Sequence, residues 1–352
     1  MVLNSINYFR GAAILFIVAG HCLDMTFQQR NSLVAKFILN IMQGGTPFFV
    51  FISGFLFYHV FYEKFNYRNF MISKIKNVLF PYVVLSIMPV CYFVFIRKTG
   101  PYHEYIFSPG QGVYLEYLRP FCMYFLTGRT FVAYWYIPFI MVIFALSPVF
   151  VRYVKLPSYF RIILLLLCYC IAMIIHRPLD NISVLQSVVY FVPVYLLGIT
   201  ASMYKEQIYR YATGKEFYML LSALLLVLIQ VVFYETYANF HKNPFEVTVL
   251  DINIIQKSIF CLFLMVLLNR FENKSIPYLK KLAAASFAIY FLHPPVLLCM
   301  EKFVNYLSLH HYSLTEHVIV LGCLPIVLFI SIELAILTKR TFRSYSRLVV
   351  GW

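Results

Sequence analysis

The chain has 352 residues, of which 62% are hydrophobic and only 12% charged, with a mean hydropathy of +0.77. Soluble domains run near 45–50% apolar and about 25% charged, so a soluble fold is excluded and an integral membrane protein is expected. The formal charge of +15 does not point to nucleic acid, because the basic residues fall in short connections between apolar stretches rather than on one soluble face.

Apolar stretches of about 20 residues spell helices, whereas barrel strands alternate over about ten residues. Ten spans are predicted, at 6–25, 37–61, 78–96, 134–154, 160–176, 184–203, 217–236, 252–269, 284–302 and 315–338. The expected fold is therefore an all-α bundle of about ten transmembrane helices. Met1 to Tyr8 lacks a basic n-region and no small-residue cleavage site follows the first span, so no cleavable signal is expected. The second span contains Gly44-Gly45-Thr46-Pro47, a predicted break. Beyond it, Phe48–Phe57 places Ser53-Gly54 among aromatics, a composition suited to close helix packing. The longest connection, about 97–133, carries Gly100-Pro101, Pro109-Gly110 and an aromatic piece, Val113–Arg119, read as a short interfacial helix. Lys257 and Glu333 are deep charges in the eighth and tenth spans, and pairing with each other would satisfy both.

Orientation follows from the basic residues. With the N-terminus in the cytoplasm, nineteen of the 29 Lys and Arg fall on the inner side, which places both termini there. The expected layout is a membrane domain over 1–338 and a basic cytoplasmic tail over 339–352. The eight cysteines lie mostly inside spans and form no CxxC pair, so neither a disulfide framework nor a metal site is expected. The abundant Tyr and Phe suit interfacial belts, and in the long outer loop they also suit stacking on sugars. No repeat of fixed period is present.

Chemistry is concentrated in two stretches. The first span carries Arg10 and His21 eleven positions apart, about three turns, which puts both on one helix face roughly 16 Å apart along the axis. An ionisable residue at this depth costs on the order of 2.5–3.5 kcal/mol on insertion scales, and an unperturbed imidazole suits a general base at neutral pH. The plain alternative is a histidine bonded to a neighbouring helix. Asp24, one turn on, would either orient the ring or mark the helix end. In the ninth span Ser286, Tyr290 and His293 fall at i, i+4 and i+7 on one stripe, and Pro294-Pro295 cannot donate backbone hydrogen bonds, which frees nearby carbonyls. The basic run ending in Lys74 and Lys76 either holds phosphates as point charges or simply marks the inner side.

Together these stretches resemble acyltransferase family 3, ten-helix membrane enzymes that acylate bacterial surface and secreted glycans. Arg10-Gly11 and His21 match the family's arginine–ten residues–histidine motif. Phe48–Phe57 resembles its second-helix signature, and Tyr134-Trp135-Tyr136 followed by Leu146-Ser147-Pro148 its fourth helix. Tyr190–Gly198 and the Ser286/Tyr290/His293 pattern match later signatures. Where the family often carries Arg-x-x-Arg, this chain has Ser73-Lys74-Ile75-Lys76-Asn77, so only Lys76, with Lys74 nearby, supplies charge. The esterase-like domain that some relatives append is not expected in a chain of 352 residues.

The resemblance implies an O-acyltransferase of the bacterial inner membrane, with acyl-CoA (acetyl-CoA above all) as donor substrate and no permanently bound cofactor. The acceptor would be a polysaccharide or lipid-linked glycan. It assigns catalysis to His21 and Arg10, and substrate binding to Lys76, Lys74, Ser53, Trp135, Ser286, Tyr290 and His293. The competing reading is a transporter or flippase for a glycan or lipid-linked intermediate, which would favour pseudo-symmetric halves.

Overall fold

A computed structural model describes residues 3–26, 32–108, 110–234, 238–309 and 316–352. The turn residue Pro109 and the expected span ends at 235–236 and 315 lie outside the described residues. The chain is almost entirely helical. In order, α1 is Asn4–Thr26, α2 Leu33–Met42 and α3 Thr46–Leu56, the last prolonged by a π-turn over Phe57–Tyr62. Then come α4 (Tyr67–Lys74) and α5 (Phe80–Cys91), joined through π-turns into one long segment reaching Arg97, α6 (His103–Ile106) and α7 (Arg119–Thr127). They are followed by α8 (Tyr136–Ala145), α9 (Ser147–Lys155), α10 (Ser158–Ile175), α11 (Val184–Met203), α12 (Lys205–Ala212) and α13 (Glu216–Phe233). The chain closes with α14 (Asn253–Asn269), α15 (Pro277–Leu309), α16 (Glu316–Phe342) and α17 (Ser346–Val350).

Eight of these segments among the described residues are long and apolar enough to cross a bilayer. A ninth is the pair α8 and α9, bent by 53° between Ala145 and Ser147-Pro148, and α14, with 17 residues, is a shorter apolar helix. Each predicted span thus has its helix, and the fold is an all-α membrane protein. The second span is broken where the sequence required it. Helix α2 ends at Met42, and α3 restarts at Thr46 with Pro47 in its first turn, where a missing N–H costs nothing. The piece expected as an interfacial helix is helical over Tyr114–Leu118 and runs directly into α7.

The break exposes the last carbonyls of α2, and Lys257 answers them. Its ammonium donates to Asn40 O at 2.7 Å and Ile41 O at 2.9 Å, a cation placed where the helix dipole favours it. This corrects the pairing expected with Glu333, whose side chain is exposed on α16. Depth alone made them look like partners; the orphaned carbonyls of a broken helix supplied Lys257 with a better one.

At the heart of the bundle α1 packs against α15, α14, α16 and α3, and α3 crosses α11 most closely. That crossing requires glycine on both sides. A Cβ on Gly54 would stand 2.1 Å from Tyr195 O, and one on Gly198 would stand 2.2 Å from Phe51 O. Around it Phe9, Phe48, Phe51, Phe55 and Phe57 are fully buried; Phe9 meets Phe48 and Phe51 at a tilt, and Phe57 stands edge-on to Phe70 and Phe150, the geometry that aromatic quadrupoles favour. The start of α1 is capped from elsewhere in the chain. The Glu272 carboxylate accepts the backbone N–H groups of Asn4 at 2.8 Å and Ser5 at 2.7 Å, satisfying two of the four orphan donors of the helix. Beyond α16 the chain turns through Arg343–Tyr345, and α17 folds back onto α5. There the Lys339 ammonium sits 4.1 Å above the Trp352 ring, so the basic end of the chain is docked on the bundle.

Candidate active site

One end of the bundle, called distal here, gathers the connections at 98–108, 110–118, 128–135, 176–183 and 238–252 around the C-terminal half of α1. Between them lies a cavity of about 360 Å³ lined by His21 and Asp24, by Gln43–Thr46 at the break, and by Trp135, Tyr136 and Tyr290. Arg129, Arg177, Asp180, Asn239 and His241 complete its wall.

His21 comes to the cavity because α1 is pinned against α15. A Cβ on Gly11 would meet Leu279 O at 2.8 Å, so the two backbones touch and run parallel. Ten residues after that contact, His21 stacks on His293 of α15, with ring centroids 5.6 Å apart and planes 25° from parallel. The Nδ1 of His293 lies 2.9 Å from Ile289 O. A carbonyl can only accept, so Nδ1 carries the proton and Nε2 is the basic nitrogen. That Nε2 is buried without a hydrogen-bond partner among the described residues, and so is Nδ1 of His21. Two imidazoles therefore stack, each with one buried nitrogen unclaimed: His21 lines the cavity and His293 lies behind it. Native structures satisfy most buried polar atoms, so this pair stands out. Asp24 accepts a hydrogen bond from the Gln43 amide.

The two prolines of α15 do what their chemistry demands. Pro295 has no N–H to give Phe291 O, and that carbonyl instead accepts the Tyr134 hydroxyl at 2.8 Å. Tyr290 in turn donates to Ala133 O, so α15 is tied to the segment entering α8 from both sides. Helix α15 stays continuous through 33 residues, with the carbonyl that Pro295 leaves over met by the Tyr134 hydroxyl. The same segment presents Trp135 to the cavity, stacked on Phe191 at 6.0 Å, and Tyr136, whereas Ser53 of α3 is not among the lining residues.

Arg10 does not line the cavity. Its Nη2 donates to Ser286 Oγ at 3.2 Å, one turn of α15 below Tyr290. Since Gly11 is level with Leu279, the Arg10 side chain must run distally along α15 to reach Ser286. The guanidinium accordingly stands seven residues, or about 10 Å, below His293 and not the roughly 16 Å separating the backbones of Arg10 and His21. At the opposite end of the bundle Lys76 lines a second hollow of about 550 Å³ with Asn69, Ser73, Asn77, Tyr345 and Arg347. Lys74 does not join it. Its ammonium is packed over Phe61, Phe70 and Phe144 at 4.6–4.9 Å, an aromatic cage that uses the cation for packing.

The sequence reading thus found His21, Trp135 and Tyr290 of the distal cavity and His293 behind His21, but not the cationic wall. A two-residue parallel bridge sets Arg177 opposite His241, and the Arg177 guanidinium lies over Trp135 at 5.3 Å while donating to Asn181 at 3.1 Å and to Asn239. The Arg129 guanidinium lies 3.6 Å from the centre of the Tyr102 ring. His241 shows their effect: burial, with Arg177 and then Arg129 adding to it, pulls its pKa down to about 4.

A family model described as an acyltransferase domain matches residues 3–336. No curated protein and no solved structure matches the chain. The family match runs from the residue before α1 into α16 and takes in both the Arg10–Ser286 and the His21–His293 contacts: the chain belongs to acyltransferase family 3, and it is a multi-pass membrane acyltransferase.

Proposed function

We propose that the protein moves an acyl group, acetyl above all, from cytoplasmic acyl-CoA to a sugar hydroxyl of a surface or exported glycan in the bacterial inner membrane. Both termini then lie in the cytoplasm, the hollow beside Lys76 faces the donor, and the distal cavity faces the acceptor. The observation that carries this reading is His21 in the wall of a sugar-sized cavity with aromatic sides, its ring stacked on His293.

In the reaction His21 takes the proton of the acceptor hydroxyl as the oxygen attacks the thioester carbonyl. A C–O bond forms and the C–S bond breaks. The imidazolium then returns its proton to the departing thiolate, leaving ester and free CoA thiol. His293, stacked on the ring with its own proton fixed on Ile289 O, holds His21 in place. Arg10, held by Ser286, sits on the donor side, where it would fix an anionic part of acyl-CoA. Lys76 would meet the donor's phosphates at the entrance.

Mass spectrometry of surface glycans from cells carrying the wild-type chain or His21→Ala tests this. Glycan present in normal amount but stripped of acyl groups is expected. Unchanged acylation would sink the assignment of His21, and loss of the glycan itself would favour the transport reading.

A further inference from the structure

Arg129 and Arg177 are 3% and 4% exposed, yet neither is in an ion pair with a carboxylate among the described residues. The Nε of each is buried without a hydrogen-bond partner. Long cations are seldom buried unless paired, and these two line the same cavity as His21. The carboxylates that share the cavity, Asp24 and Asp180, are both exposed at its rim, where water screens them. Asp251 is buried and its field reaches Arg177, but it makes no ion pair with it among the described residues: Tyr190 donates to one of its oxygens at 2.7 Å and Asn253 N to the other at 2.8 Å. The neutral His241 between the arginines can accept or donate but offers no countercharge. Two guanidiniums in the wall of this cavity, neither in an ion pair among the described residues, match an anionic group carried on a sugar, whose oxygens their N–H groups can meet.

We propose that the acceptor is an acidic glycan, whose carboxylate or phosphate is clamped by Arg129 and Arg177 while a neighbouring hydroxyl is presented to His21. This rests on the acyltransferase reading for its acceptor, but the clamp is tested by binding alone. Two probe pairs separate the possible anions: tetragalacturonate against its carboxyl-reduced form, and glucose 1-phosphate against glucose. Binding is read on the full-length purified chain by calorimetry, and by Trp135 fluorescence in a Trp352→Phe background.

At least one anionic probe is expected to bind at millimolar concentrations or below. Its apparent Kd should rise about tenfold or more in Arg129→Gln and Arg177→Gln, and by less in Arg177→Lys, which keeps charge but loses the fork. Preference for the uronate identifies a carboxylate, and preference for the sugar phosphate a phosphate. Equal binding of neutral and anionic probes, failure of both anions to bind, or wild-type affinity in folded Arg→Gln and Arg177→Lys variants would each overturn the clamp. Arginines that serve only the transition state would give that last result. His21→Ala should keep the binding while losing acylation. If it keeps both, the catalytic reading fails and the clamp stands.

Discussion

Lys257 and His21 are both ionisable side chains set deep in apolar helices, and the structure treats them in opposite ways. Lys257 is wholly buried and its ammonium is met by two carbonyls that a broken helix left over. His21 lines a cavity, stacks on a second histidine and keeps one buried nitrogen unmet. Depth in the membrane is thus a poor guide to chemistry by itself. An ionisable group whose hydrogen bonds are complete supports the fold, whereas one left incomplete beside open space is poised to react.

The sharpest way to break this contrast is to remove each group. General bases contribute typically 10²–10⁴-fold, so His21→Ala should lower acyl transfer by about that factor, measured on purified protein with acyl-CoA and glycan, while thermal stability holds. Lys257→Met should do the reverse, lowering stability by about 1–3 kcal/mol through the two carbonyls it orphans and leaving turnover per folded molecule near wild type. If Lys257→Met abolished turnover without unfolding, the contrast would collapse. Gly54→Ala probes the scaffold that both share. Its new Cβ overlaps Tyr195 O, and overpacking of this kind costs typically 1–3 kcal/mol, visible as a lower melting temperature with loss of folded yield.

A smaller effect is expected from pH. His241 has its pKa lowered from 6.5 to about 4, so the stability gained by keeping it neutral is complete above about pH 6.5 and drains away as pH falls towards 4. Glu272 acts with the same sign. Burial raises its pKa, but the hydrogen bonds from Ser5 and Asn4 outweigh that and hold it below the ordinary value, so its cap on α1 also weakens in acid. Melting curves between pH 7 and 4 should flatten in His241→Gln. For Glu272→Gln the change should be about 1 kcal/mol or less, since that carboxylate is partly solvated.

Much of this was readable from the chain. Twenty-residue apolar windows fixed the helices, and Gly44-Gly45-Thr46-Pro47 could do little but interrupt one. His21 and His293 were conspicuous because histidine is costly inside a span. The cationic wall escaped notice for the converse reason. Arg129, Arg177 and His241 lie in connections, where basic residues are ordinary, and only folding brings positions so far apart in sequence around one cavity. Lys74 misled in the same manner, since its neighbours in sequence say nothing of the three rings that enclose it. Depth suggested Lys257 and Glu333 as a pair, but a linear text does not record which way a helix face turns.

The unbroken run of α15 has one more implication. Between its contact with Arg10 and its contact with His21 there are seven residues on α15 and eleven on α1, and the length of the arginine side chain makes up the difference. Inserting one residue into α15 between Ser286 and His293 would turn everything beyond it by about 100° and swing His293 off the His21 ring. No rotamer change restores such a turn. The spacing behaves as a vernier between two scales, so insertions or deletions there should be tolerated far less than substitutions, and the two contacts must be inherited as a single unit.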